Sequence, residues 1–324
     1  MVVACPVPLL MLAEKPGKEE SREFFDLIKG VTYTMNFPEL VGKRCLGVGI
    51  PGWIFTADLK GNMNLFHLNS RCLIELPHMN TLENFDLDYP IEFEYYVEKA
   101  LLSSDPHTND DYILMINQGV PRSLAYWKPG NTEFITVTHE GAYSDVTYHD
   151  EQFYGVDFQG NVVILDFRGR GLERPIKRIV EGVPSELIYG MQLYIVHSLG
   201  ELFVITRNGV EKHPETNLYG VEEFIVSRVD VDNESYEEVD DLGNRAIFLG
   251  FSASTAVVEQ YGCKANHIYF TDDCSTAYYF SEKGGGKDMG IYNLLDDTIE
   301  PHYTGESYHK FSPPIWIFNT PFSV

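Results

Sequence analysis

Short runs of apolar and aromatic residues, five to nine positions long, recur along the chain between glycine, asparagine, aspartate and proline residues. Such runs are typical of β-strands, because neighbouring side chains lie on opposite faces of a sheet and turn residues end each strand. Long stretches with the period of an amphipathic helix are nearly absent. The pattern therefore predicts an all-β protein.

The predicted strands fall into groups of four with a period of roughly 45 residues, as in a β-propeller whose blades are four-stranded sheets. The complete groups span residues 44–77, 99–138, 144–180, 192–239 and 246–303. Three more strands in residues 7–37 and one in residues 314–318 predict a further blade built from both ends of the chain. Closing the ring in this way covers sheet edges that would otherwise favour aggregation. We expect about six blades, with residues 1–324 forming one domain.

Two segments fit no blade. Residues 82–97 predict a long acidic loop between strands, and Gly284-Gly285-Gly286 predicts a mobile loop.

Negative charge dominates the chain, whose formal net charge is -24. Such a surface repels phosphate groups, so neither nucleic acid nor an anionic membrane is an expected partner. Carboxylates concentrate in residues 75–111, with ten against one lysine, and in residues 211–241, with eleven against two basic residues. These stretches predict solvated loops or sheet edges, and the alternative is a landing site for a basic partner.

The five cysteines are scattered and form neither CxxC nor a zinc-finger spacing, which favours reduced thiols in an intracellular protein. The apolar opening of the chain contains Pro6 and Pro8 without a basic flank, so it predicts a strand and not a signal peptide. No run is long enough for a membrane helix. A soluble protein of the cytoplasm or nucleus is expected.

Motifs for chemistry lack their structural context. Residues 47–52 match GxGxxG, but a predicted strand follows where a dinucleotide site needs a helix. Residues 250–254 narrowly miss the GxSxG elbow, which also needs a following helix. The pairs Asp272-Asp273 and Asp296-Asp297 predict surface turns, because neighbours in a strand point to opposite faces. No catalytic residue, metal site or cofactor is therefore predicted.

Aromatic residues divide into two groups. Those within strands, including all three tryptophans, predict core packing between blades. Residues in predicted loops between blades lie at one rim of the ring, and tyrosine and arginine are common in binding hot spots. The candidate partner-binding residues are Tyr143, Tyr189, Arg245 and Tyr308, and the alternative binding site is the acidic loop at residues 83–98.

Several of these segments resemble the plant F-box-associated KIB-type β-propeller family, in the expected order along the chain. The most specific are Gly52-Trp53-Ile54-Phe55-Thr56-Ala57-Asp58, Leu242-Gly243-Asn244-Arg245-Ala246-Ile247-Phe248-Leu249-Gly250, Gly262-Cys263-Lys264-Ala265-Asn266-His267-Ile268-Tyr269-Phe270-Thr271-Asp272-Asp273 and Ser312-Pro313-Pro314-Ile315-Trp316-Ile317.

The resemblance implies a non-enzymatic propeller that selects the substrate of a ubiquitin ligase, with a protein of unknown identity as its partner. Family members usually carry an F-box that binds a Skp-type adaptor. The strand pattern here begins almost at Met1, so the adaptor is expected as a partner only if an F-box has been removed. The alternative function is an enzyme or small-ligand binder that uses the central channel.

Overall fold

The computed structural model describes residues 7–83, 85, 96–119, 122–137, 142–168, 176–180, 192–209, 219–258, 262–278 and 281–319. Within them, β-strands form six sheets, each of which is one blade of a propeller. The inner strands of neighbouring blades contact one another around the axis. The six-bladed all-β fold predicted from the sequence is confirmed.

The closing blade combines strands from both ends of the chain, as predicted. It consists of β1 (Val7–Met11), β2 (Ser21–Asp26), β3 (Val31–Asn36) and, as its inner strand, β25 (Ile315–Asn319). In the antiparallel pair of β1 and β25, Leu9 lies opposite Ile317. Both side chains are 2% exposed, so this pairing joins the ring through the core.

Blades one to four are regular antiparallel sheets in which successive strands run from the axis outwards. Blades one and two contain β4 (Lys43–Gly47), β5 (Trp53–Asp58), β6 (Met63–His67), β7 (Leu73–Glu75), β8 (Val97–Leu102), β9 (Leu114–Gln118), β10 (Ser123–Trp127) and β11 (Ile135–Thr136). Blades three and four contain β12 (Tyr143–His149), β13 (Gln152–Asp157), β14 (Val162–Asp166), β15 (Ile176–Val180), β16 (Gln192–Ser198), β17 (Glu201–Arg207), β18 (Phe224–Asp230) and β19 (Ser235–Val239).

Blade five departs from the predicted four strands. It contains β20 (Arg245–Leu249), β21 (Thr255–Val258), β22 (His267–Phe270), β23 (Gly290–Asn293) and β24 (Ile299–Glu300), in the order β21-β20-β22-β23-β24. The additional strand β21 pairs with β20 on the axial side, and β20 runs parallel to β22. The sequence pattern missed β21 because its four residues are all only half-buried.

Helical structure in the described residues is limited to short segments. Pro38–Leu40 and Met79–Thr81 form single 3-10 turns, and Ser275–Tyr278 forms α1. None of the described helices has the length and apolar character needed to cross a membrane.

The core lies between neighbouring blades, as the aromatic strand residues predicted. Trp53, Trp127 and Trp316 are 2%, 5% and 2% exposed. Trp316 of the closing blade contacts Phe248 of blade five edge-on, with ring centroids 5.1 Å apart. Because burying a large apolar side chain contributes ~1.5–3 kcal/mol, such contacts between blades are a main source of stability.

The predicted mobile glycine loop is wrong. Gly284, Gly285 and Gly286 are all buried, and Gly285 forms a two-way backbone bridge with His309. A Cβ atom on Gly286 would lie 2.0 Å from the carbonyl oxygen of Ser307, so only glycine fits this close approach. Most of the predicted acidic loop at residues 82–97 lies outside the described residues, and Val97 begins β8.

Two faces follow from the antiparallel order of blades one to four. The turns that join first to second strands and third to fourth strands lie on one face, here named the turn face. The connections between these blades and the turns between second and third strands lie on the other, the connector face. A residue at the end of a strand can therefore be assigned to a face from its neighbours.

Candidate partner-binding site

Of the four residues predicted from the sequence, the structure describes Tyr143, Arg245 and Tyr308, and it does not bring these three together at one face. Tyr143 is the first residue of β12 and is 3% exposed, so it is a strand residue of the core and not a loop residue. Tyr189 lies outside the described residues. Tyr308 lies in the connection from β24 to β25, half-buried, with the Lys283 ammonium 4.9 Å above its ring. Contact with a partner stays a prediction for these residues.

Arg245 begins β20 and lies on the turn face, which corrects its predicted place beside Tyr143. The cause is the reversed direction of β20: the carbonyl of Arg245 accepts from Asn266 N, just before β22 begins. Its guanidinium pairs with Glu201 at the start of β17. Arg245 is therefore engaged with blade four and adjoins the groove described below.

The axis of the ring is crossed by residues 250–254, which connect β20 to β21. Ser252 Oγ donates to Trp316 O at 2.7 Å and accepts from Gly47 N at 2.9 Å. The ammonium of Lys99 donates to Ser252 O at 3.3 Å. One segment thus bonds the inner strands of the closing blade, blade one and blade two.

A buried ion pair continues this contact into blade three. Lys99 Nζ lies 3.4 Å from Asp145 Oδ1, and Ser254 donates to the other carboxylate oxygen. Burial raises the pKa of the Asp145 carboxyl, and the Lys99 ammonium opposes that rise. The cavity left beside the axial segment, lined in part by Gly47 and Ser252, measures about 10 Å³. That is room for a single water molecule and not for a larger ligand.

Arg207 forms a second buried ionic cluster between blades four and five. Its guanidinium is fully buried and donates to Asp273 Oδ1 at 2.8 Å, Asp288 Oδ2 at 2.6 Å and Thr271 O at 3.0 Å. The interpretation of Asp272-Asp273 as a surface turn is wrong, since these residues are 0% and 6% exposed. The chain turns inwards after β22, and Arg207 compensates the buried charge.

Asp272 is held mainly by backbone groups of the buried glycine segment. Its Oδ2 atom accepts from Gly286 N at 2.9 Å, Lys287 N at 3.0 Å and the Tyr219 hydroxyl at 2.8 Å. Burial raises the pKa of this carboxyl, and the N–H of Gly286 opposes the rise. The charged residues of both clusters are at most 9% exposed, so we assign them to stability and not to binding.

A groove of about 580 Å³ lies between blades three and four on the turn face. The turns from β12 to β13, from β16 to β17 and from β18 to β19 form its walls. Polar lining residues include His149, His197, Glu201, Arg228, Asp232 and Glu237, and apolar ones are Leu202, Val229 and Val231.

Two tight turns fix the walls of the groove. Asp150 and Glu151 have positive φ values of 48° and 61°, and Leu199 and Gly200 have 50° and 82°. Positive φ at both central residues is the signature of the type I′ turn, whose twist matches that of the adjoining strands. The lining residues on these turns are thus held in place by the hydrogen-bonded strands on either side.

Stacked imidazoles join the two blades at the groove. The rings of His149 and His197 have centroids 3.4 Å apart and planes within 10°. Burial, and then the neighbouring His149, lowers the pKa of His197 to about 4. His197 is therefore uncharged at neutral pH and offers the face of an aromatic ring.

Carboxylates surround this pair. Arg228 Nη1 lies 2.9 Å from Glu201 Oε1, and its other terminal nitrogen pairs with Glu237. The hydrogen bond from Arg228 lowers the pKa of Glu201. Asp230 accepts from the backbone of Asn233 and holds the turn. Within the described part of the chain, the Asp232 carboxylate has no hydrogen bond or ion pair.

The sequence interpretation missed this histidine pair, although the signal was present. His149 and His197 each end the first predicted strand of successive blades, and equivalent positions in successive blades are neighbours in a propeller. In the described ranges, no three His, Cys, Asp or Glu side chains group to hold a metal ion. The nitrogen lone pairs of two stacked imidazoles lie in parallel planes, so they do not converge on one metal ion.

Comparison with known proteins adds the context of a family. The model of the KIB1-4 beta-propeller family matches residues 24–293. The probable F-box protein At4g22060 of Arabidopsis thaliana is 21% identical, over 96% of this chain and 84% of that protein. The probable F-box protein At4g22165 of the same plant is 23% identical, over 76% of this chain and 65% of the relative. F-box protein SKIP23, also from Arabidopsis thaliana, is 24% identical, over 68% and 58%.

Proposed function

The chain belongs to the KIB1-4 β-propeller family, and from this premise we propose that it is a protein-interaction propeller without catalytic activity. In this proposal it selects the substrate of a plant ubiquitin ligase, in the cytoplasm or nucleus, and residues 1–324 act as one domain. The names of the relatives, all F-box proteins, support this role.

One observation carries the proposal: among the described residues, a segment crosses the axis, whereas a groove is open on the turn face. The crossing segment, residues 250–254, bonds inner strands of the closing blade, blade one and blade two. The groove between blades three and four is formed by short turns on a hydrogen-bonded frame. Loops on a rigid scaffold are the usual carriers of recognition.

The proposal is tested by isolating a partner with the full chain as bait and then measuring binding between the two purified proteins by calorimetry. Two variants identify the face that binds: Asp232→Arg on the turn face and Tyr308→Ala on the connector face. Tyr308 precedes the start of β25, and the other end of that strand lies on the turn face, where Asn319 donates to Asn69. Truncating or reversing a hot spot costs ~2 kcal/mol or more, about thirtyfold in affinity. We expect the turn-face variant to lose binding and the connector-face variant to keep it.

A purified partner whose affinity falls at least thirtyfold with either variant supports the proposed function. Specific complexes normally have a Kd below ~100 μM. If no purified candidate binds the intact chain with a Kd below this value, the proposal is wrong.

A further inference from the structure

We propose that the groove between blades three and four binds an extended segment of the partner through an arginine side chain. This inference deepens the proposed function and rests on it. The reasoning starts from the charge of the groove, continues with the residues already bonded there, and ends with the uncharged rings at its side.

The excess of negative charge in the groove favours the binding of a cation. Four carboxylates line it, and Arg228 is the one permanently charged cation among the residues that line it within the described part of the chain. Arg228 already serves Glu201 and Glu237, and Asp230 is engaged by its own turn. Asp232, exposed on the rim, is therefore the carboxylate that an incoming cation can pair with at least rearrangement.

Arg228 also shows which cation these walls can accept. With a side chain 42% exposed, it bridges two carboxylates from different strands through separate nitrogens of one planar group. A guanidinium presents five donors in a fixed fork, whereas an ammonium is a compact and strongly hydrated point charge. Carboxylates that already surround one planar guanidinium are suited to bind a second guanidinium beside it.

The groove offers more than charge, and its shape provides an independent argument. Its volume of about 580 Å³ lies within the ~300–1,000 Å³ range of pockets that enclose a ligand. Leu202, Val229 and Val231 supply apolar surface for the methylene groups of a long side chain. The uncharged His197 ring, stacked on His149, lines the groove and adds an aromatic surface against which a planar guanidinium can pack. Lysine shares the first two contacts but lacks the planar group for the third.

The test uses a fluorescein-labelled peptide with three arginines separated by glycines, and the same peptide with lysines, titrated by fluorescence anisotropy. Salt at 0.15 M limits the reach of surface charges to about 8 Å. Asp232→Arg is matched by Asp110→Arg, an exposed turn residue of the same face that does not line the groove. The third variant is His197→Ala.

We expect Asp232→Arg to raise the Kd of the arginine peptide at least tenfold and Asp110→Arg to change it less than twofold. His197→Ala should weaken the arginine peptide about fivefold, and the lysine peptide less. Near-ultraviolet circular dichroism checks that each variant is folded. Equal losses from both charge reversals would show attraction by the whole acidic surface and overturn the groove assignment.

Lysine and arginine peptides of equal affinity would overturn the guanidinium assignment. If a purified partner binds but the peptides do not, this inference is wrong and the proposed function is unaffected. If no purified partner binds at all, the proposed function fails with it.

Discussion

Replacing Arg207 by methionine should destabilise the ring strongly, because two buried carboxylates would lose their shared cation. The guanidinium is fully buried and lies 2.8 Å from Asp273 and 2.6 Å from Asp288, which are 2% and 9% exposed in their side chains. Methionine fills much of the same volume, so the loss reports mainly on charge. Breaking a buried pair on one side costs ~3–5 kcal/mol, since the remaining charge is uncompensated.

The assay is urea unfolding followed by fluorescence, together with calorimetric melting. An entropy of unfolding of about 2.1 cal/mol/K per residue over 324 residues converts the expected loss into a fall in Tm of roughly 4–7 °C. The matched control is Arg168→Met. Arg168 pairs with Asp166 at the surface with a side chain 46% exposed, and such pairs contribute ~0–1 kcal/mol.

A second variant distinguishes lost charge pairing from lost packing. Replacing Asp273 and Asp288 by asparagine together with Arg207→Met removes the uncompensated charges that the single variant leaves buried. The triple variant should therefore be more stable than Arg207→Met alone. A loss below ~1 kcal/mol for Arg207→Met, or a triple variant that is no more stable than it, would refute the reasoning.

Two further variants test buried groups. Burial lowers the pKa of His302 to about 4, from 6.5, so the stability it contributes above pH 6.5 is lost as pH falls towards 4, by ~3 kcal/mol at most. In urea unfolding at pH 7 and 4.5, His302→Gln should show a smaller acid loss than the parent; an unchanged loss would contradict this. Gly286→Ala should lower the free energy of unfolding by at least ~2 kcal/mol, because the new Cβ would meet the carbonyl of Ser307. Gly17→Ala should lower it less, because Gly17 also has a positive φ but open space around it. If thermal melting shows equal losses of stability for the two variants, the glycine segment is a loose loop and not a closely packed one.

The six-bladed ring could be predicted from the sequence because strand periodicity and turn residues are local signals. The pairing of β1 with β25 could also be predicted, because the strands at either end of the chain cannot bury both faces alone. The burial of Asp272 and Asp273 could not, because Asp273 pairs with Arg207, some 65 positions away in another blade, and Asp272 bonds Gly286 N and the Tyr219 hydroxyl. The axial segment at residues 250–254 was missed for the same reason: its partners lie on strands of several blades.

The two ionic clusters and the groove have connected consequences for recognition. The buried charges bind one another and neighbouring backbone groups, so they stiffen the ring and leave its faces for recognition. On the turn face, type I′ turns hold His149 and His197, and Asp230 holds the short turn that contains Asp232, without long flexible loops. A preformed site loses little conformational entropy on binding, and a short segment can then bind with useful affinity. Stability at the axis and selectivity at the groove are thus separable, and Arg207 variants that remain folded should keep the peptide affinity of the parent chain.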